Sequence, residues 1–271
     1  MTPDDFDLIR AILKKRSGLV LGDDKSYLLE SRLMPVARKH GLKSLEEVIG
    51  QVRVAPSEPL LIDITEAMTT NESFFFRDTK PFDLFRDNVL PRLLEARAAK
   101  RSFRVWCAAA SSGQEIYSLA ILLKEAAAKL TGWRTEILGT DISREILHRA
   151  TEGSYTQFEV QRGLPIQLLV KYFDKEGEHW RIKPDIRNSV SFREYNLLDS
   201  LTSLGNFDVV FCRNVLIYFD QPTKKEVLEK IAGLMPPDGV LFLGGAETVL
   251  GITDKFEPVT GQRGIYRLTG K

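Results

Sequence analysis

The stretch RVWCAAASSGQEIYSLAI, Arg104 to Ile121, joins an apolar run to a helical one through a turn of small residues. The turn carries one glycine, Gly113, and an acid, Glu115, follows at the start of the helix. A turn that cradles a pyrophosphate needs several glycines for close backbone approach and a helix N-terminus free of negative charge. Glu115 would repel phosphate there, whereas an ammonium or sulfonium would be drawn to it. Asp141 closes the next apolar run, TEILGTDI, where an acid can accept hydrogen bonds from ribose hydroxyls. That acid alone fits a dinucleotide or S-adenosylmethionine, and the turn favours the second. The bland alternative for Glu115 is an ordinary first-turn acid.

Other polar residues stand where later apolar runs end. Asn196 lies in VSFREYNLL and Asp199 just after it, and Arg213, Asn214 and Tyr218 lie in FDVVFCRNVLIYF. GGAE ends GVLFLGGAET. In open α/β sheets ligands bind beyond the carboxyl ends of the strands, so these residues are candidates for one cleft. TTNESFFFRD adds Thr70, Asn71, Ser73 and Arg77 around three phenylalanines. Some of those rings belong in a core. The polar residues could donate to a cofactor, and Arg77 could hold a carboxylate in fixed geometry. Arg213 has a simpler reading too, as partner of a nearby acid.

These residues need elements to position them. The first hundred residues read as helices. Thr2 and Gly18 bracket the first, and the second ends at Gly41 with Pro35 as a kink or local tightening. Ser44 and Glu47 form a capping box for the third, and EPLLIDITEAMT and KPFDLFRDNVLPRLLEARAAK are further helical runs. From Phe103 the character changes to short apolar runs, with helical stretches between the first and second and between the fourth and fifth. That alternation predicts a parallel, doubly wound sheet. Between Asp141 and Phe192 the chain is longer than one crossover needs. KYFDK and HWRIK flank a turn at Glu176-Gly177 and predict a hairpin in a small antiparallel insertion.

Composition excludes several classes. The chain has 271 residues, 43% hydrophobic and 28% charged, as a globular protein would. A formal net charge of +1 gives no footprint for nucleic acid. Cys107 and Cys212 lie in apolar runs and read as reduced thiols of a cytosolic protein. No apolar run is long enough to span a membrane, and the three histidines show no metal-ligand spacing, so no metal is expected.

Taken together, TTNESFFFRD, RVWCAAASSGQEIYSLAI, TDIS and FDVVFCRNVLIYFD occur in the order and spacing of the CheR-type chemotaxis methyltransferases, which the chain resembles over nearly its whole length. The resemblance implies a Rossmann-like α/β fold that binds S-adenosylmethionine, with an N-terminal all-helical domain and a small antiparallel β-subdomain insertion. The expected boundaries are 1–70 for the helical domain and 71–101 for a linker and connecting helix. The methyltransferase domain then covers 102–271, with the β-subdomain at 152–191. Implied cofactor contacts are Asn71, Ser73, Arg77, Glu115, Asp141, Asn196, Leu197, Asn214 and Val215. Ser73 stands where many members have threonine, and Ile116 where many have proline.

The implied reaction is methyl transfer from S-adenosylmethionine to glutamate side chains of bacterial chemoreceptors, leaving S-adenosylhomocysteine. A glutamate with pKa of about 4.3 is already ionised at neutral pH, so no histidine base is required. Arg77 and Tyr218 are the candidates for orienting the reacting groups. Arg32, Arg38 and Lys39 can share a face of the second helix and would suit an acidic receptor helix, though exposed bases are more often plain solvated surface. The expected protein is a cytoplasmic monomer, recruited to membrane receptor arrays without inserting in the bilayer. The short turn in YFDKEGEHWRI argues against capture of a receptor C-terminal pentapeptide. Two alternatives stay open: a methyltransferase with another protein or small-molecule substrate, and a non-catalytic sensor that binds the cofactor product.

Overall fold

The computed structural model describes residues 2–270. The chain divides into two compact units, Met1–Thr70 with Tyr218–Thr223, and Asn71–Ile217 with Lys224–Lys271.

The smaller unit is built on α1 (Pro3–Ser17), α2 (Ser26–Lys39), α3 (Leu45–Val54) and α4 (Glu58–Met68). α1 starts in a complete capping box: the Thr2 hydroxyl accepts from the Asp5 amide while the Asp5 carboxylate accepts from the Thr2 amide. It stops at Gly18, whose φ of 76° places it in the left-handed region that glycine tolerates best. The predicted box on α3 is only half formed. Ser44 accepts the Glu47 amide, but the Glu47 carboxylate reaches past the cap to the amide of Lys43. α2 runs through Pro35 without interruption. Ile9, Leu13, Leu29, Leu33, Val48 and Ile64 are fully buried within this unit.

The larger unit opens with α5 (Lys80–Leu84) and α6 (Leu90–Ala96), joined by a π-helical turn over Phe85–Val89. The sequence reads here as one regular helix. Pro91 has no N–H to give the carbonyl four residues earlier, and the wider turn lies just ahead of it. The chain continues through β1 (Ser102–Ala108), α7 (Gln114–Glu125), β2 (Arg134–Asp141), α8 (Arg144–Glu152), β3 (Ser154–Thr156), α9 (Gln157–Gln161) and α10 (Ile166–Tyr172). β4 (Phe173–Glu176), β5 (His179–Ile182), α11 (Pro184–Arg187), β6 (Val190–Glu194) and β7 (Val209–Cys212) follow. The last elements are α12 (Gln221–Ala232), β8 (Val240–Leu243), β9 (Phe256–Pro258) and β10 (Ile265–Leu268).

Seven strands form one sheet in the order β6-β2-β1-β7-β8-β10-β9. β1 pairs in parallel with both β2 and β7, aligning Trp106 with Leu138 and with Val210. The four residues of β7 are all buried, as expected of a strand covered on both faces. The alternation predicts a parallel sheet, but the sheet is mixed. β10 runs antiparallel to β8 and to β9 at one edge. From β1 the chain winds outward through β2 to β6, then returns to lay β7 and β8 on the other side. The topological switch therefore falls between β1 and β7.

The insertion is a three-stranded antiparallel sheet, β3-β5-β4. Its hairpin is offset from the predicted one. Lys171 and Tyr172 finish α10, and the connection between paired Glu176 and His179 is Gly177 and Glu178. Gly177 takes φ 62° there, a left-handed conformation suited to a tight turn. Among the described residues no helix is long and apolar enough to cross a membrane.

Candidate functional site

The loop after β1 rises in an unusual conformation. Ala109 and Ser111 have φ of 58° and 51°, and Gly113 follows at 92° as the residue before α7. Three backbone anchors hold it. The Ala110 amide donates to the Thr140 carbonyl at 2.8 Å, the Ser111 amide to the Asp141 carboxylate at 2.9 Å, and the Tyr155 hydroxyl to the Ser112 carbonyl at 2.7 Å. Side chains other than glycine in the left-handed region cost of order 1–3 kcal/mol each and persist where surroundings enforce them, often at functional sites. Apart from Arg101, every non-glycine residue of this kind among the described residues lies here, in the segment Phe76, Asp78 and Thr79, or at Asn214.

The linker segment is pinned against this loop. The Asn71 carbonyl accepts from the Ser111 hydroxyl at 2.8 Å, and the Phe76 amide donates to the Ser118 hydroxyl of α7 at 3.0 Å. Phe75 and Phe76 are buried, and Phe75 meets Tyr155 and Phe173 edge-on at 5.0 and 5.5 Å. Phe74 is only half-buried and carries the guanidinium groups of Arg77 and Arg162 over its ring. Arg77 also donates to the Glu72 carbonyl at 2.9 Å. Ser73 is half-buried in the same segment.

Glu115 does not stand alone as a first-turn acid. Its carboxylate accepts from the Arg213 guanidinium at 2.7 Å, and the same guanidinium reaches Asp78 at 2.6 Å and the Arg77 carbonyl at 3.0 Å. Burial pushes the Glu115 carboxyl above the usual carboxylate range, against the opposing pull of Arg213. Asp141 is buried too, and its two oxygens accept the amides of Ser111 and Ser143. Its own carbonyl accepts the Tyr195 amide, which brings the Asn196-Leu197 pair to the end of β2. Asn196 accepts the Leu198 amide at 3.0 Å, and Leu197 is buried.

Sequence reasoning placed GGAE at a strand end but gave Glu247 no role. This carboxylate follows β8 and is buried, and it accepts four backbone amides: Asn214 at 2.8 Å, Val215 at 3.0 Å, Ile217 at 3.3 Å and Gly244 at 2.6 Å. It thereby shapes the loop that carries Asn214 and Val215. A Cβ on Gly244 would come within 2.7 Å of that carboxylate and 2.8 Å of the Asn214 side chain, so glycine is required there. The available signal was GGAE at a strand end, since an acid directly after two glycines can face amides of a neighbouring loop.

The structure thus brings Asn71, Arg77, Glu115, Asp141, Asn196, Leu197, Asn214 and Val215 to the carboxyl ends of β1, β2, β6 and β7. Tyr218 belongs to the smaller unit, where its carbonyl accepts the Val20 amide at 2.9 Å. Of the three bases on α2, Arg32 is not turned outward as a docking face requires. Its guanidinium donates to the carbonyls of Met68 and Thr69 and to the Thr70 hydroxyl, completing the C-terminal end of α4. Lys39 pairs with the buried Asp63 at 2.9 Å. Arg38 is exposed.

The donor set suits S-adenosylmethionine. Glu115, nearly buried at the start of α7, and Asp141, buried at the end of β2, stand where an ammonium and ribose hydroxyls would be received. Residues 71–265 match the family described as "CheR methyltransferase, SAM binding domain", and residues 4–69 match "CheR methyltransferase, all-alpha domain". A Pseudomonas putida protein named "Chemotaxis protein methyltransferase Cher2" is 41% identical over 96% of both chains. "Chemotaxis protein methyltransferase 1" of Pseudomonas aeruginosa is 43% identical over 97% of both. The Salmonella typhimurium protein named "Chemotaxis protein methyltransferase" is 32% identical, over 97% of this chain and 90% of its own. With both domain matches running in tandem across an uninterrupted chain, this protein belongs to the CheR methyltransferase family.

Proposed function

We propose that this chain methylates glutamate side chains on the helical cytoplasmic part of bacterial chemoreceptors. The observation that carries the reading is the nearly buried Glu115 carboxylate at the start of α7, in a turn whose single glycine and negative charge are unsuited to phosphate. Family membership supplies the substrate class.

S-adenosylmethionine, when bound, supplies an activated methyl group on a sulfonium. Glu115 would receive its ammonium and Asp141 its ribose hydroxyls. Asn71, Ser73, Arg77, Asn196, Leu197, Asn214 and Val215 would line the remainder. The substrate carboxylate is ionised at neutral pH, with a pKa of about 4.3, so no side chain has to remove a proton. The work of the protein is alignment and exclusion of water. Arg77, with its fork of donors beside Phe74, is the group suited to orient an incoming carboxylate. Tyr218 is the second candidate for orienting the reacting groups.

The receptor segment is acidic and helical, and Arg38, with Lys39 beside it, gives α2 an exposed basic position to meet it. The chain acts as a monomer in the cytoplasm, at the receptor arrays. The two-residue connection between β4 and β5 speaks against a pentapeptide tether, which calorimetric titration with a receptor tail peptide would reveal. The decisive assay incubates the protein with tritiated S-adenosylmethionine and receptor-containing membranes. Base-labile methyl esters on the receptor are expected, and their absence would sink the reading.

A further inference from the structure

Arg213 follows β7, and its side chain is 1% exposed. A guanidinium that deeply buried is retained only where anions and acceptors satisfy it. One nitrogen binds Glu115, and another binds both Asp78 and the Arg77 carbonyl. Asp78 is half exposed and Glu115 nearly buried, so the cluster holds two carboxylates for one guanidinium. The Arg213 Nε has no partner among the described residues, and the Phe82 ring lies 5.7 Å from the guanidinium carbon.

We propose that Arg213 is a positioning residue for the cofactor: one side chain fixes the Glu115 carboxylate and the Arg77–Asp78 backbone in a single geometry for the methionyl end. The proposal rests on the reading that Glu115 receives the ammonium. Two chain segments far apart in sequence would grip the same part of the ligand, and Arg213 is the group that touches both.

The electrostatics around Glu115 give this role a signature. Burial raises its pKa and Arg213 opposes the rise, with Glu247 after β8 acting against ionisation and Arg77 of the linker acting for it. Asp78 lies across the guanidinium, and the neighbouring thiols of Cys107 in β1 and Cys212 in β7 are themselves pushed up by burial and stay neutral. Without Arg213 that opposing pull is lost, and Glu115 would hold a proton more readily than in the wild type. An arriving ammonium would then have to expel it.

Calorimetric titration with S-adenosylhomocysteine, in buffers of different ionisation enthalpy between pH 6 and 8, reads that proton directly. R213M is expected to weaken binding by roughly tenfold or more, the worth of a lost charge-assisted hydrogen bond. Binding should release a fraction of a proton, and affinity should recover as pH rises. Wild type should release less than R213M, and R213K, which keeps the charge but not the fork, should lose affinity while releasing no more than wild type. Should R213M fail to fold, the R213M/E115Q double variant removes the unpaired carboxylate, and R213K alone carries the affinity arm. Wild-type affinity in R213K and R213M alike, with only a lower melting temperature, would overturn the proposal and leave Arg213 a packing residue. Wild-type affinity in E115Q would overturn it differently, by removing the reading of Glu115 on which it stands.

Discussion

The two ends of the seven-stranded sheet are built from the same ingredients and arrange them differently. At the amino ends of β1, β7 and β8, Arg97 donates to Asp208 at 2.8 Å and makes a two-pronged pair with Asp238 at 2.7 Å. The Asp208 carboxylate also takes the Arg104 amide, and Arg104 reaches the carbonyls of Leu204 and Asn206 and the Glu136 carboxylate. Both forks of donors are closed on acceptors that hold the sheet to its flanking turns. At the carboxyl ends, the Arg213 Nε has no partner among the described residues, buried carboxylates are occupied by loop amides, and the loops bend through left-handed residues. One end closes its charges on itself. The other leaves a buried guanidinium donor open beside loops that bend through left-handed residues, an arrangement that makes sense when a ligand completes it.

The comparison predicts that stability and function separate by end. Arg97→Met should produce the largest effect, a loss of about 3 kcal/mol in unfolding free energy, because it leaves Asp208 without its buried partner. Methyl transfer per folded molecule should not change. Urea unfolding alongside the tritium assay measures both, and a parallel loss of turnover would erase the distinction between the ends. Glu115→Gln should do the reverse. Affinity for S-adenosylhomocysteine should fall by roughly tenfold or more, while stability changes by less than about 1 kcal/mol, since the amide oxygen still accepts from Arg213. A large drop in unfolding midpoint would mean that this end, too, is built mainly for stability.

Smaller effects sharpen the picture. Tyr218→Phe should lower turnover by up to roughly tenfold, the worth of one hydrogen bond made in the transition state, with S-adenosylhomocysteine affinity unchanged. If the rate is intact, Tyr218 has no part in orienting the reacting groups. Arg38→Glu should reduce receptor methylation a few-fold, and the difference from wild type should shrink as salt is raised. Cofactor affinity should be untouched, and loss of both together would indicate misfolding.

Much of this architecture is legible in the sequence, and the reasons are local. Thr2 and Gly18 mark α1 because capping and left-handed termination are decided within a few residues. The runs around Val105, Ile137 and Val210 announce buried strands through composition alone, and Glu115 and Asp141 stand out because strand ends deliver ligands. What escaped depends on contacts across sequence. The Arg213–Glu115 pair joins residues after β7 and in α7, and only the sheet order makes them neighbours. Glu247 matters through amides of a loop it does not adjoin in sequence. β9 and β10 are short and lie in a stretch rich in glycine and charge, so no periodicity exposes the antiparallel edge. Arg32 reads as a surface base until α4 is placed beside α2 and its terminal carbonyls require donors.

The smaller unit offers the finest test of how a buried carboxylate behaves when its charges are closed. Asp63 of α4 is buried, and its two oxygens are occupied by Lys39 at 2.9 Å and His40 at 2.7 Å, both at the end of α2. Burial alone would raise the Asp63 pKa, but the hydrogen bonds from Lys39 and His40 outweigh it and hold the carboxyl below its ordinary value. A carboxyl depressed in the folded state stabilises the fold above its unfolded pKa of about 3.9, and that contribution disappears as pH falls through the lower folded value. Amides of α2 and α4 should therefore lose protection from hydrogen exchange as the solution is acidified below about pH 4. In Asp63→Asn those amides should be less protected at pH 7, and the gap to wild type should narrow on acidification. Glu115 has the opposite sign: its raised pKa disfavours the folded state as pH rises, and replacing it should not weaken the neighbouring amides at neutral pH. If Asp63→Asn leaves protection of α2 and α4 unchanged at pH 7, the closed arrangement is not what holds that helix pair together.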